Sequence, residues 1–205
     1  DVRRVPCPVT LIDRLVSAQW CDGAGFDNVL GGALAARRLL EAGHTRIGCI
    51  SGDGREGSAN RRRRGFADVL EQAGVPLESM LDVAGDYRFD GGYAATAAMV
   101  DNGATAVFCC NDLMAMGLLR GLRERGLSVP ADMSVIGYDN IMERFGMQIE
   151  VTTVEQDVAQ LARAAWELLS ARIGAPGEGH PWLAEPRTRV LAPCLVDKGS
   201  VRDLR

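Results

Sequence analysis

Short apolar runs alternate along the chain with amphipathic stretches of helical spacing, the pattern of a parallel sheet covered on both faces. Candidate strands are Val9 to Ile12, Arg46 to Ile50, Met80 to Ala84, Thr105 to Cys109, Ser134 to Tyr138 and Val190 to Val196. Between them, Val29, Ala33, Ala36 and Leu40 share one helix face, and Phe66, Val69, Leu70 and Ala73 share another. Gly43, Gly74, Gly103 and Gly126 follow helical stretches where a left-handed residue ends a helix, and Asp90 and Asp112 stand where N-caps are expected. A last helix, about Gln156 to Ile173, places Val158, Leu161, Ala165 and Leu168 on one face, and Gly174 to Pro186 reads as a loop.

Length and composition narrow the class. With 205 residues, 47% hydrophobic and 24% charged, the chain can bury one large core or two small ones. It has no apolar run long enough to span a bilayer, and its first residues lead into a strand-like stretch, so a soluble, unexported and membrane-free product is expected. The net charge of -4 argues against a nucleic-acid-binding module in these residues, since phosphate neutralisation demands a basic excess. Cys49, Cys109, Cys110 and Cys194 sit in apolar runs and read as reduced, small hydrophobes of a cytoplasmic protein. No CxxC pair occurs, and the two histidines, His44 and His180, are far apart, so no metal site and no cofactor are expected.

In open α/β sheets, ligands bind beyond the carboxyl ends of the strands. There the chain carries Ser51-Gly52-Asp53, Gly85-Asp86-Tyr87, Asn111-Asp112 and Asp139-Asn140, a set of amides, carboxylates and an aromatic ring suited to hydroxyl-bearing ligands. The competing explanation is that Asp and Asn are common turn formers and caps. On that view Asp112 is a cap, whereas Asn111 is freer. Successive residues of Arg61 to Arg64 point about 100° apart on a helix, so they make no single patch, and one arginine of this turn is expected to enter the cleft as a forked donor. Neither histidine lies near the expected cleft, and GxSxG, GxxxxGK[ST] and strand-following GxGxxG are all absent, so no catalytic residues are assigned and binding is favoured over an enzyme.

A set of ordered motifs then resembles one family. Leu11-Ile12-Asp13-Arg14, Asp27-Asn28, Leu40 to Gly48, Arg62-x-x-Gly65-Phe66, Asn111-Asp112-x-x-Ala115-x-Gly117, Gly126 to Asn140 and Thr152-Thr153-Val154-x-Gln156 are similar in order and spacing to the effector domain of lactose-repressor/galactose-repressor (LacI/GalR) regulators. The resemblance implies an α/β, periplasmic-binding-protein-like fold of two parallel-sheet subdomains with crossovers and the effector in the cleft between them. Residues 1 to 26 and 153 to 180 would form a remnant of the amino-terminal subdomain, incomplete here, and 27 to 152 with 181 to 197 the carboxy-terminal one. It further implies a sugar-like effector, with a purine as another option, and operator DNA reached through a headpiece absent from this chain. Arg62, Asn111, Asp139 and Tyr87 match effector-contacting positions, with Asp27 and Ser58 in second rank. Removing Arg62 or Asp139 is expected to abolish binding and leave the fold intact. Hinges are expected near Asp27, Thr152 to Glu155 and Gly174 to Pro186. The family's Pro-Pro-Leu is replaced by Ile149-Glu150-Val151. A homodimer is expected, with Met114, Leu118 and Leu122 either exposed as its face or packed in the core. The alternative of the same fold is an extracytoplasmic sugar-binding protein for transport or chemotaxis.

Overall fold

The computed structural model describes residues 7–13, 21–53, 57–141, 150–173 and 185–205. His180, Arg14, Ile149 and most of the Gly174 to Pro186 loop lie outside them. The chain divides into two compact units, residues 1–27 with 157–192 and residues 28–156 with 193–205.

The smaller unit holds β1 (Thr10–Ile12), β2 (Asp22–Phe26), α5 (Val158–Ile173) and β8 (Thr188–Leu191), the strands parallel in the order β1-β2-β8. Its core is Ala24 and Phe26 of β2 against Leu161, Ala164, Ala165 and Leu168 of α5. β2 is the strand that periodicity does not reveal. Its sequence, DGAGF, has no β-branched residue, and it is a strand because it is buried along its whole length and paired on both edges. Within it Asp22, 1% exposed, pairs with Arg172 at 2.7 Å and with Arg187 at 2.7 Å. Burial alone would raise the Asp22 pKa, but the two guanidinium groups outweigh it and hold the carboxyl well below the usual range.

The larger unit is a six-stranded sheet in the order β4 (Asp82–Ala84), β3 (Ile47–Ser51), β5 (Ala106–Cys109), β6 (Ser134–Asp139), β7 (Thr152–Glu155), β9 (Cys194–Val196), parallel throughout except for β9. Helices α1 (Asn28–Glu41) and α2 (Ser58–Gln72) cover the face bearing Phe108 and Tyr138. Helices α3 (Phe89–Asp101) and α4 (Asp112–Glu124) cover the other, where Met99 meets Gly48 and Asp112 meets Gly137. The four glycines expected to end helices all have φ between 67° and 85°. α1 and α2 cross closely enough that a Cβ on Gly32 would lie 1.8 Å from the Arg62 carbonyl oxygen, and one on Gly65 2.0 Å from that of Val29.

Several expectations are corrected. Thr152 to Glu155 is β7, paired with β6 and β9, and the chain passes to the smaller unit just after it, between Gln156 and Asp157, so residues 153–156 go with the larger unit. The run from Val190 to Val196 is two strands in different sheets, because Pro193 has no N–H to continue a ladder. Residues 185–192 therefore belong with the smaller unit. Asp90 is inside the first turn of α3, and it is the Asp86 carboxylate that accepts the Arg88 and Gly91 N–H groups, at 2.8 and 3.1 Å. Cys49, Cys109 and Cys110 are buried, whereas Cys194 is exposed. Met114, Leu118 and Leu122 are fully buried, so that face of α4 is core and carries no dimer contact.

His44 is 1% exposed, with its Nδ1 3.0 Å from the Thr105 hydroxyl, whose own proton goes to the Arg46 carbonyl. Burial lowers its pKa. The folded ring therefore resists a proton that the unfolded chain accepts as pH falls through about 6.5. The larger unit should hold constant stability above that pH and lose it below, a slope that urea titrations from pH 8 to 5 would measure and that His44→Gln should remove.

Candidate functional site

The carboxyl ends of β3 to β7 gather the polar residues of the larger unit, and Arg62 is their centre. It projects from α2, one turn after Ser58, so the two share a helix face. Its Nε donates to Asn28 Oδ1 at 2.8 Å and its Nη1 to the Cys110 carbonyl at 2.7 Å. Nη1 also pairs with Asp139 Oδ1 at 3.1 Å, and Nη2 donates to Gln156 Oε1 at 3.4 Å. The guanidinium carbon sits 3.7 Å from the Tyr138 ring centroid. Tyr138 in turn leans on Phe108 at 6.4 Å, and Phe108 stacks on Phe66 at 4.8 Å, so an aromatic column carries the arginine from within the core. The close crossing of α1 and α2 is what lets Asn28 reach it.

This changes the expected character of Arg62. It is 5% exposed and holds α1, α2, β5, β6 and the end of β7 together, so its removal strikes the fold as well as any ligand. Of its three neighbours in the run, Arg63 is committed to Asp82, Arg64 is exposed beside Asp68, and Arg61 is half-buried. Asp139 differs from Arg62 in having 23% of its side chain exposed.

Three site residues adopt left-handed backbone without being glycine: Tyr87 at φ 65°, Asp139 at 101° and Asn140 at 52°. Such conformations cost energy, persist only where surroundings impose them, and cluster at ligand-binding positions. Tyr87 is half-buried, its ring tip resting on Gly52. Asn140 is fixed by Lys198, whose Nζ donates to its Oδ1 at 2.7 Å, and by Glu155, which accepts from its Nδ2 at 3.3 Å.

The expected roles of Asn111 and Asp112 are exchanged. Asn111 is the N-cap of α4, accepting the Met114 N–H on Oδ1 at 2.9 Å. Asp112 is the first residue of the helix proper, and its buried carboxylate accepts the Thr153 hydroxyl at 2.9 Å and the Ile141 N–H at 3.2 Å. Burial raises its pKa, partly offset by those donors. Asp27 is the last residue of the smaller unit's first segment, its N–H bonded to the Leu191 carbonyl at 2.9 Å. Asn28, Tyr138 and Gln156 are the members not singled out beforehand. Each occupies a motif position already noted, but burial against Arg62 has no signal in sequence spacing. Among the described residues no group of three His, Cys, Asp or Glu side chains could hold a metal ion.

Chemically, the site offers a cation and a carboxylate that offset each other, flanked by an aromatic ring: hydrogen bonding without net charge. A family model described as a periplasmic binding protein-like domain matches residues 36–201. The ribose operon repressor of Haemophilus influenzae is 31% identical over 98% of this chain, and the HTH-type transcriptional repressor PurR of Yersinia pestis is 38% identical over 87%. The chain spans only 59% and 51% of their lengths. A crystal structure of a LacI family transcriptional regulator from Enterococcus faecium with bound ribose superposes with a TM-score of 0.85 at 31% identity, covering 97% of this chain and 72% of that one.

Proposed function

The chain belongs to the periplasmic-binding-protein-like family, in its LacI/GalR effector-domain branch, and from that premise we propose that it senses a small neutral polyol, a pentose such as ribose, for a bacterial transcriptional repressor. The observation that carries this is the charge-compensated Arg62–Asp139 pair, seated on the Tyr138 ring at the strand ends of one sheet. An isolated arginine would favour a phosphate or carboxylate. With Asp139 at 3.1 Å, the pair instead presents a donor and an acceptor, the combination that a hydroxyl satisfies. Binding, not catalysis, is the activity.

Operator contact then belongs to a headpiece outside residues 1–205, in a cytoplasmic homodimer. The two relatives are named as repressors, which weighs against the extracytoplasmic binding-protein reading.

Thermal melts with pentoses, hexoses and purine nucleobases test this. D-ribose at about 100 times its dissociation constant should add about 2.7 kcal/mol, a rise in Tm of roughly 5–10 °C for a domain of this size. Asp139→Ala should remove the shift. A shift with a purine and none with any sugar would reassign the site to nucleobases. No shift with either would sink the sensing reading.

A further inference from the structure

We propose that Lys198, the one lysine of the chain, sets ligand affinity from behind Asp139, as a positioning residue that acts through Asn140; the inference rests on the sugar-sensing reading of the site. Asp139 and Asn140 are consecutive left-handed residues at the carboxyl end of β6, at φ 101° and 52°. Asn140 sits near the left-handed minimum at about 57°, which asparagine tolerates, but Asp139 lies well off it. A backbone so bent persists only where its neighbours impose it. Three groups clamp this turn. Lys198 Nζ donates to Asn140 Oδ1 at 2.7 Å, Asn140 Nδ2 donates to Glu155 Oε1 at 3.3 Å, and Asp112 Oδ2 accepts the Ile141 N–H at 3.2 Å. The contact from Lys198 is the shortest of the three and carries the cation. Asn140 is 6% exposed, so its amide is set by these partners rather than by water. Lys198 also spans β7 from end to end. Its backbone N–H bonds the hydroxyl of Thr152, the first residue of that strand, at 3.1 Å, and its side chain reaches the turn beside Glu155, the last. On the way it shares a cavity of about 10 Å3 with Asp112, Thr153 and Asn140. The carboxylate that Arg62 meets at 3.1 Å is therefore aimed from the face of the sheet that α3 and α4 cover, opposite the arginine.

The two ends of this link can be cut separately. Lys198→Met keeps the length of the stem and removes the donor, whereas Lys198→Arg keeps a charged donor. Asn140→Gly removes the acceptor and leaves a residue that adopts a positive φ freely. Calorimetry with D-ribose reads affinity, and carboxyl-13C-aspartate NMR reads Asp139, whose resonance is the one missing from Asp139→Ala. Lys198→Met should weaken D-ribose binding roughly tenfold and move the Asp139 carboxyl resonance in the protein without ligand. Lys198→Arg should hold affinity within about threefold and leave that resonance in place. Asn140→Gly should match the Lys198→Met loss, and adding Lys198→Met to it should change affinity by less than about twofold. Equal losses from Lys198→Met with and without Asn140 would mean that the lysine meets the ligand itself. A loss in Lys198→Arg as large as in Lys198→Met, or an unmoved Asp139 resonance, would mean that the donor does not aim the carboxylate. Any of these overturns the proposal. If wild-type protein binds no D-ribose, the sugar reading fails alone, and the Asp139 resonance still decides whether Lys198 positions it.

Discussion

Arg62→Ala is expected to destabilise the larger unit by about 3–5 kcal/mol, the cost of removing one partner from a buried charged network, and to abolish ligand binding with it. Asn28 Oδ1, the Cys110 carbonyl and Gln156 Oε1 would each lose a donor at once, and the upper face of Tyr138 would lose its cation. Arg62→Lys should rescue little, because one ammonium cannot replace a fork that reaches Asn28, Cys110, Asp139 and Gln156 in different directions. Asp139→Ala supplies the contrast. Its side chain is partly exposed and it loses one pair rather than a fork of four partners, so binding should vanish while stability changes far less. Urea unfolding followed by tyrosine signals, combined with ligand titration, would separate the two variants. Equal stability losses for both would refute this division of labour.

A comparable effect is expected in the smaller unit from Asp22→Asn. The carboxylate is 1% exposed, pairs with Arg172 and Arg187, and accepts the Arg187 backbone N–H at 2.8 Å. An amide there leaves Arg172, whose side chain is only 10% exposed, without its counter-charge, again a loss of about 3–5 kcal/mol. Arg187→Ala should cost less, since that side chain is 46% exposed. Protons should imitate the substitution. The folded Asp22 pKa lies below its unfolded value near 3.9, so the contribution is complete above about pH 4 and drains away as pH falls further. A reporter is built in, because Trp166 lies on α5 of this unit. Tryptophan-detected unfolding unaffected by Asp22→Asn would refute the argument.

What sequence reading reached and missed divides along physical lines. Helix ends marked by Gly43, Gly74, Gly103 and Gly126 were legible because a positive φ is a local demand that few residues meet. Strands β3, β5 and β6 were legible because a strand buried on both faces is apolar along its length. β2 was not, since DGAGF owes its conformation to neighbours brought from about 165 residues away. At the site, helical geometry showed that the four arginines could not act together, but which partners would surround Arg62 depends on the crossing of α1 over α2. The exchange of roles between Asn111 and Asp112 has a similar source: either residue type can cap a helix, and only the approach of Thr153 and Tyr87 from elsewhere in the chain assigns them. The stripe Met114, Leu118 and Leu122 was equally fit for core or surface, and its burial was decided by packing.

The aromatic column beneath Arg62 bears on how tightly a very small ligand can be held. A long side chain that must be immobilised when a ligand arrives gives up roughly 0.5–1.5 kcal/mol of rotamer entropy. Arg62 has already surrendered that freedom in folding, pinned by Tyr138 below and by partners on four elements around it. A molecule the size of a pentose has few atoms from which to draw affinity, so a docking surface that is rigid beforehand lets most of each contact count toward binding.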